Sequence, residues 1–188
     1  GTIVKPAKKI DLSHHVDADH AGLFKVEDHR DPASVKSRTG CIVLLSGWPL
    51  LWKSQLQSHV AQSTTEAEHA SLSRALKTHL PLKWLIEEIL RNANHEILDS
   101  PTIHAKVFED NQSACCLASN QRITNRTKHL LSSWHWFWEH VNKQFTLVRC
   151  PTAGMLADFL TKSLPKATFE SNRKRAMGWQ RSRSIRST

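Results

Sequence analysis

Residues 10–17 read as a strand, although one that carries many polar side chains. A charge-rich loop with Pro32 inside it follows over 23–36. Residues 41–45 form a short β-branched and apolar run. Ser46 and Gly47 turn that run and residues 49–53 return, which is a hairpin pattern. Helical periodicity takes over at 64–79. Pro81 interrupts it and stands near the first turn of a second helix expected over 82–91. A strand over 102–108 precedes a helix over 111–119 that Asp110 or Asn111 can cap. A longer, tryptophan-rich helix is expected over 127–141, then a strand over 144–150 closed by Pro151. A short helix over 155–162 comes last, ended by Pro165.

This order predicts an α/β fold. The early strands and their hairpin make an antiparallel part, and the later strands, separated by helices, become parallel neighbours. The expectation is a mixed five-stranded sheet flanked by helices within a domain over 10–165. Residues 1–9 read as a linker or cloning remnant, and 166–188 as a basic C-terminal helix and tail.

Composition narrows the partners. A chain of 188 residues with net charge +9 suits one domain that meets a polyanion. From Lys166 onward there are seven Lys or Arg residues and one acid, Glu170, a run suited to phosphate contact or to a solvated end. No stretch approaches the roughly 18 apolar residues of a membrane span, and no secretory leader is read at the start. The four cysteines form no Cys-x-x-Cys pair and read as reduced thiols of an intracellular protein. Among twelve histidines, only His14 and His15 beside Asp17 and Asp19 suggest a zinc site.

Carboxylates carry the most specific chemistry. On the 64–79 helix, Glu68 shares a stripe with Leu72, Ala75 and Leu76, the sheet-facing side, whereas Glu66 shares one with Ala70, Ser73 and Arg74, the water side. A carboxylate on a buried stripe is costly unless it is paired or bound to metal. Asp17 follows the first strand directly, while Asp19 adjoins Ala21 and Gly22, where a turn is expected, so Asp17 is preferred. Alternation does not choose between Glu109, on the face of Ile103, Ala105 and Val107, and Asp110, on the face of Phe108. The strand-to-helix junction favours Asp110, because ligands gather at the carboxyl ends of such strands. Asp158 lies in the short late helix. Four acids brought together would form a cage for divalent metal.

The segments VDADHAG (16–22), KSRTGCIVLLSG (36–47), STTEAEHASL (63–72), VFEDNQSA (107–114), RTKHL (126–130) and MLADFLTK (155–162) occur in that order. Together they resemble the ribonuclease H domain of copia-type LTR retrotransposon Pol polyproteins, from about residue 10 to residue 177. The resemblance implies a ribonuclease H-like fold and an acidic quartet at Asp17, Glu68, Asp110 and Asp158 that binds two Mg²⁺, with Mn²⁺ as a substitute. It implies hydrolysis of the RNA strand of RNA–DNA hybrids during reverse transcription, beside an upstream reverse transcriptase, in the cytoplasm and within virus-like particles. Cys41, His69 and Trp134 stand where relatives commonly carry tyrosine, and Leu131, Ser133 and Trp138 replace positions that are often charged.

Substrate contacts are expected from Asn111, Gln112 and Ser113 toward the 2′-hydroxyl, with helix capping as their plainer role. Lys53, Lys128 and His129 are expected on phosphates. The tryptophans at 134, 136 and 138 are expected to pack rather than stack on bases. The alternatives are a non-catalytic nucleic-acid-binding domain of the same fold, and a transposase or integrase, whose Asp–Asp–Glu order does not match a glutamate in second place.

Overall fold

A computed structural model describes residues 10–24, 26–28, 30–92, 103–120 and 131–179. Five strands form one sheet: β1 (Asp11–Asp19), β2 (Arg38–Leu45), β3 (Trp48–Leu56), β4 (His104–Glu109) and β5 (Thr146–Arg149). Their spatial order is β3-β2-β1-β4-β5. The first three pair antiparallel, and β4 joins β1 and β5 in parallel, as the element order predicts. The β2–β3 hairpin turns through Ser46 and Gly47, both at positive φ (49° and 82°), the backbone a two-residue turn needs to match strand twist.

β1 is central, and its interior is buried along nearly its whole length. That explains its polar reading. Leu12, His14 and Val16 face one side, where β1 packs under the helices, while Ser13, His15 and Asp17 face the other. On the first side, Val16, Cys41, Ala105 and Val107 meet Leu72, Leu76 and Leu80 of α1 (Thr64–Asn92), Ala114 and Ala118 of α2 (Gln112–Asn120), and Phe137 of α3 (Leu131–His140). Trp136 and Trp138 pack against the same cluster, in line with the packing role expected of them; the side chain of Trp134 lies outside the described residues. On the second side, Ile42 and Leu44 meet Leu156 and Ala176, from a 3₁₀ segment (Leu156–Leu160) and α4 (Lys166–Ala176).

Three expectations change. Pro81 does not divide two helices: α1 runs unbroken for 29 residues. Pro81 and Lys77 both lie on the exposed side, so the carbonyl that loses its N–H partner faces water, while His79, Leu80 and Lys83 hold the helix to the core. The late helix over 155–162 is instead a pair of short 3₁₀ turns, Thr152–Gly154 and Leu156–Leu160. Finally, β1 continues through Asp19, which pairs with Arg38, rather than turning there.

Gly40 controls how the 3₁₀ segment approaches the sheet. A Cβ at this position would lie 2.6 Å from Thr161 Cγ2, 2.9 Å from Leu160 Cβ and 3.1 Å from the Ala157 carbonyl. Since Gly40 pairs with Asp17 across β1 and β2, the missing side chain lets the Asp158-bearing segment close over Asp17. Gly40→Ala is expected to cost roughly 1–3 kcal/mol of stability, the usual range for overpacking. Thermal melts would show this as a drop of several degrees, and an unchanged melting temperature would contradict the close contact.

Candidate metal centre

Parallel pairing of β1 with β4 sets the site. His15 is level with Phe108, so two residues further along both strands Asp17 comes level with Asp110, at the carboxyl end of the sheet. Asp110 is placed there by the strand-to-helix junction. Asn111, just past β4, caps α2: its Oδ1 accepts the Ala114 N–H at 3.0 Å. Glu68 arrives from the first turns of α1, which Ser63 caps by accepting the Glu66 N–H at 3.2 Å. Glu66 is not on the water side as expected. It is buried, and its Oε2 accepts the Gln62 N–H at 2.9 Å, completing the cap.

Asp17, Glu68 and Asp110 each offer a ligand atom, and these atoms lie within 4.8 Å of one another. This is the metal-competent group of acids found among the described residues. The three line an open cavity of about 440 Å³ together with Ala18, Asp19, His20, Thr64, Asn111, Thr152 and Lys162. One oxygen of Glu68, Oε2, is buried without a hydrogen-bond partner. The residues present therefore fit a hard divalent cation: oxygen donors, converging carboxylates and an unsatisfied buried ligand atom.

Asp158 is also close but is held differently. It is buried on the opposite side of β1, where Lys162 Nζ approaches its Oδ1 at 3.1 Å and Asp17 Oδ2 at 3.8 Å. The Thr161 hydroxyl donates to Asp17 Oδ2, which anchors the segment to the strand.

Electrostatics follow from crowding acids in a dry place. Burial raises Asp17 to about 6, against the Thr161 hydrogen bond and the Lys162 charge. Burial, then the nearby Glu109, Asp17 and Asp110 carboxylates, raise Glu68 to about 10. Asp158 is raised as well, by burial first. Lys162 is held above its ordinary value because the charges of Asp17 and Asp158 outweigh its own burial. Without metal, burial favours the protonated form of each of these acids.

Glu109 is the buried acid beside the site that the strand–junction argument passes over. It is fully buried on the helix-covered face of β4, its Oε1 accepts the Asn111 N–H at 3.0 Å, and burial pushes its carboxyl well above the ordinary range. It is close enough to Glu68 for its charge to help raise that carboxyl. The signal that finds Glu68, a carboxylate on an apolar stripe, finds Glu109 too: it shares its face with Ile103, Ala105 and Val107. Lys162 is legible in outline only, as a cation four residues after Asp158.

The other predicted residues divide. Asn111 lines the cavity while capping α2. Gln112 and Ser113 stand exposed in the first turn of α2, outside the lining. Lys53 is exposed on β3, level with Cys41 rather than with the Asp17 row, and does not line the cavity. Lys128 and His129 lie outside the described residues. The zinc suggestion does not hold: His14 points under α1 to stack on His79 at 5.1 Å, while His15 points to the other face and stacks on Phe108 at 4.5 Å. Consecutive strand residues cannot serve one site in this way. The cysteines are free thiols.

No family model matches the chain. It is 34% identical over 160 residues to the retrovirus-related Pol polyprotein from transposon TNT 1-94 of Nicotiana tabacum, across 85% of this chain and 11% of that polyprotein. It is 30% identical over 172 residues to the corresponding polyprotein from transposon RE2 of Arabidopsis thaliana, across 91% of this chain and again 11% of the relative. The chain thus spans about a tenth of the length of these relatives. Among solved structures, LC11-RNase H1, isolated from compost, superposes with a TM-score of 0.51 over 82% of this chain and 94% of its own, at 14% identity. Among the described residues, no helix is long and apolar enough to cross a membrane. The chain therefore has the ribonuclease H fold, and over most of its length it is homologous to a stretch of the retrovirus-related Pol polyproteins of plant transposons.

Proposed function

We propose that this domain is a divalent-metal-dependent endoribonuclease that hydrolyses the RNA strand of RNA–DNA hybrids. The context would be reverse transcription by a copia-type element, with a polymerase domain upstream in the same polyprotein. The observation that carries the reading is the convergence of Asp17, Glu68 and Asp110 from two parallel strands and a helix into one open cavity, with Asp158 held against Asp17. The ribonuclease H fold and the Pol homology support it.

In this reading Asp17, on the central strand, Glu68 and Asp110 would hold a divalent cation, with Asp158 beside Asp17 as a further acid. Bound Mg²⁺ would supply an activated water and neutralise charge on the scissile phosphate and its leaving oxygen. Asn111, at the cavity wall, presents its side chain to the backbone of the strand being cut while its Oδ1 keeps α2 in register. The Lys and Arg residues of α4 and the chain beyond it meet phosphates.

The direct test is cleavage of a labelled RNA–DNA hybrid with Mg²⁺ or Mn²⁺, beside RNA and DNA duplexes of the same sequence. Hybrid-selective cutting that leaves 5′-phosphate ends is the expected result. Binding without cutting would assign the domain a nucleic-acid-binding role instead. Hybrid affinity should fall linearly on a log–log plot against salt, with a slope of about −0.9 for each phosphate neutralised on a B-form duplex; salt-independent binding would remove the phosphate contacts from the proposal.

A further inference from the structure

α4 carries an aromatic and basic patch away from the acidic cavity. The helix is pinned by one face. Asn172 and Ala176 are its buried side chains, and Asn172 Nδ2 donates to the Met155 carbonyl at 3.4 Å. Arg175 donates to the Gly154 carbonyl at 3.2 Å. The other face turns Phe169, Arg173 and Lys174 outward. Phe169 is 38% exposed, and Trp179, just past the helix, is 55% exposed. The Arg173 Cζ lies over both rings, 5.8 Å from the Phe169 centroid and 5.7 Å from that of Trp179. One planar cation thus joins two open aromatic rings. An edge contact with Phe159, centroids 6.1 Å apart, steadies Phe169. The surrounding charge is one-sided: from Lys166 onward there are seven Lys or Arg residues and one acid.

We propose that Phe169, Arg173 and Trp179 form a stacking site for an unpaired nucleobase, by which the domain holds a single-stranded stretch of nucleic acid. The inference deepens the reading above and rests on its phosphate contacts from α4, not on its chemistry. Basic residues alone would serve any polyanion. Open rings interleaved with them suit a base, whose π-face stacks on aromatic and guanidinium planes. In a duplex those faces are already stacked on neighbouring pairs, so only an unpaired strand can offer one. Position keeps the patch away from the scissile phosphate. A Cβ on Gly178 would lie 3.6 Å from the Trp48 ring, so the chain leaves α4 beside the β2–β3 turn. In that turn the Ser46 N–H donates to the Asp11 carbonyl at 2.7 Å. Asp11 stands six residues before Asp17, about 20 Å along β1. The patch therefore meets a strand that has left the cavity, as the unpaired extension of a hybrid would.

The test is fluorescence anisotropy of a labelled thymidine oligonucleotide beside an abasic strand of the same length and charge. Wild type is expected to bind the base-bearing strand roughly 5- to 150-fold more tightly for one stacked base. Trp179→Leu and Phe169→Leu should each weaken that preference and together remove it, with affinity for the abasic strand unchanged. Trp179→Phe keeps a ring and should keep most of the preference. Arg173→Lys keeps the charge without the plane and should lose part of it, with the same salt dependence on the abasic strand. Thermal melts would verify that each variant is folded, and the exposed Trp179 tests the idea even where Phe169→Leu fails to fold. Equal binding of the two strands by wild type would overturn the proposal. So would a preference that survives both leucine substitutions, which would leave the patch to a protein partner. Binding of neither strand ends this inference together with the phosphate contacts it rests on. A wild type that cuts hybrid but treats the two strands alike sinks this inference and leaves the nuclease reading standing. One that prefers the base-bearing strand and cuts no hybrid does the reverse.

Discussion

Asp17→Asn is expected to abolish the proposed hybrid cleavage, by on the order of 10³-fold, the scale expected when a transition-state charge loses its stabilising group, and to retain the fold. Asp17 touches both halves of the site: it lies with Glu68 and Asp110 on one side and meets Thr161 and Lys162 on the other. Asparagine keeps its shape but removes the charge that attracts metal. The same variant separates structure from chemistry in a second way. Wild-type protein is expected to gain thermal stability from millimolar Mg²⁺, about 2.7 kcal/mol when the ion is at a hundred times its dissociation constant. Asp17→Asn should lose most of that gain while melting no lower than wild type in chelator, because a buried acid has become neutral. Calorimetric melts with and without Mg²⁺ decide it. An Asp17→Asn protein that still cuts at near wild-type rate would remove Asp17 from the metal site.

The second large effect is on the pH dependence of stability. Metal-free protein should be most stable in the mildly acid range and lose stability steadily above pH 6.5. Two sets of buried groups oppose each other. Burial lowers His15 and His79 to about 4 and His69 to about 3, and lowers His14 as well. Below pH 6.5 the unfolded chain binds protons that these histidines refuse in the folded state, so stability falls as pH falls toward 4 and below. The acids act with the opposite sign. Asp17 is raised to about 6 and Glu68 to about 10, with Glu109 also raised. The unfolded chain gives up these protons near pH 4, while the folded chain must keep them, so stability falls as pH rises. Between about 4 and 6.5 the two sets offset each other.

Above pH 6.5 the histidines no longer contribute, and Glu68 remains. Each group that differs between the states then costs about 1.4 kcal/mol per pH unit. For a chain of this size that is a few degrees per unit. Saturating Mg²⁺ should flatten the alkaline limb, because metal-bound carboxylates ionise readily. Uptake of the ion near pH 7 should also release protons, chiefly from Glu68. Melts in chelator from pH 6.5 to 9, and calorimetry in buffers of different ionisation enthalpy, check both. A chelator melt that is flat across this range would mean that Glu68 is ionised in the metal-free protein.

Much of the candidate site was legible before the fold. Helical periodicity alone places Glu68 toward the sheet, with Leu72, Ala75 and Leu76, and the structure buries it there. The order of strands and helices predicts the mixed sheet, since a short turn can join only antiparallel neighbours and a helix is needed to return in parallel. Other features were not legible. Alternation along β4 cannot rank Glu109 against Asp110, because both are acids and the pattern says only that they face opposite ways. Glu66 misled because its stripe is polar, yet the cap it forms with Gln62 and the packing around the start of α1 bury it. Pro81 misled because a lost hydrogen bond is tolerated where the freed carbonyl faces water.

The residue pattern by itself determined which positions must be buried, the sequence of elements and the acids worth asking about, because periodicity is a property of neighbours along the chain. Tertiary structure decided the rest. The parallel register of β1 and β4 brings Asp17 level with Asp110, and the bare backbone at Gly40 admits the Asp158 segment, while the fold delivers Lys162 to Asp17 across 145 residues of sequence. Those are relations in space between distant residues. Their energies come from burial and from Coulomb forces over a few ångströms, which no local pattern encodes.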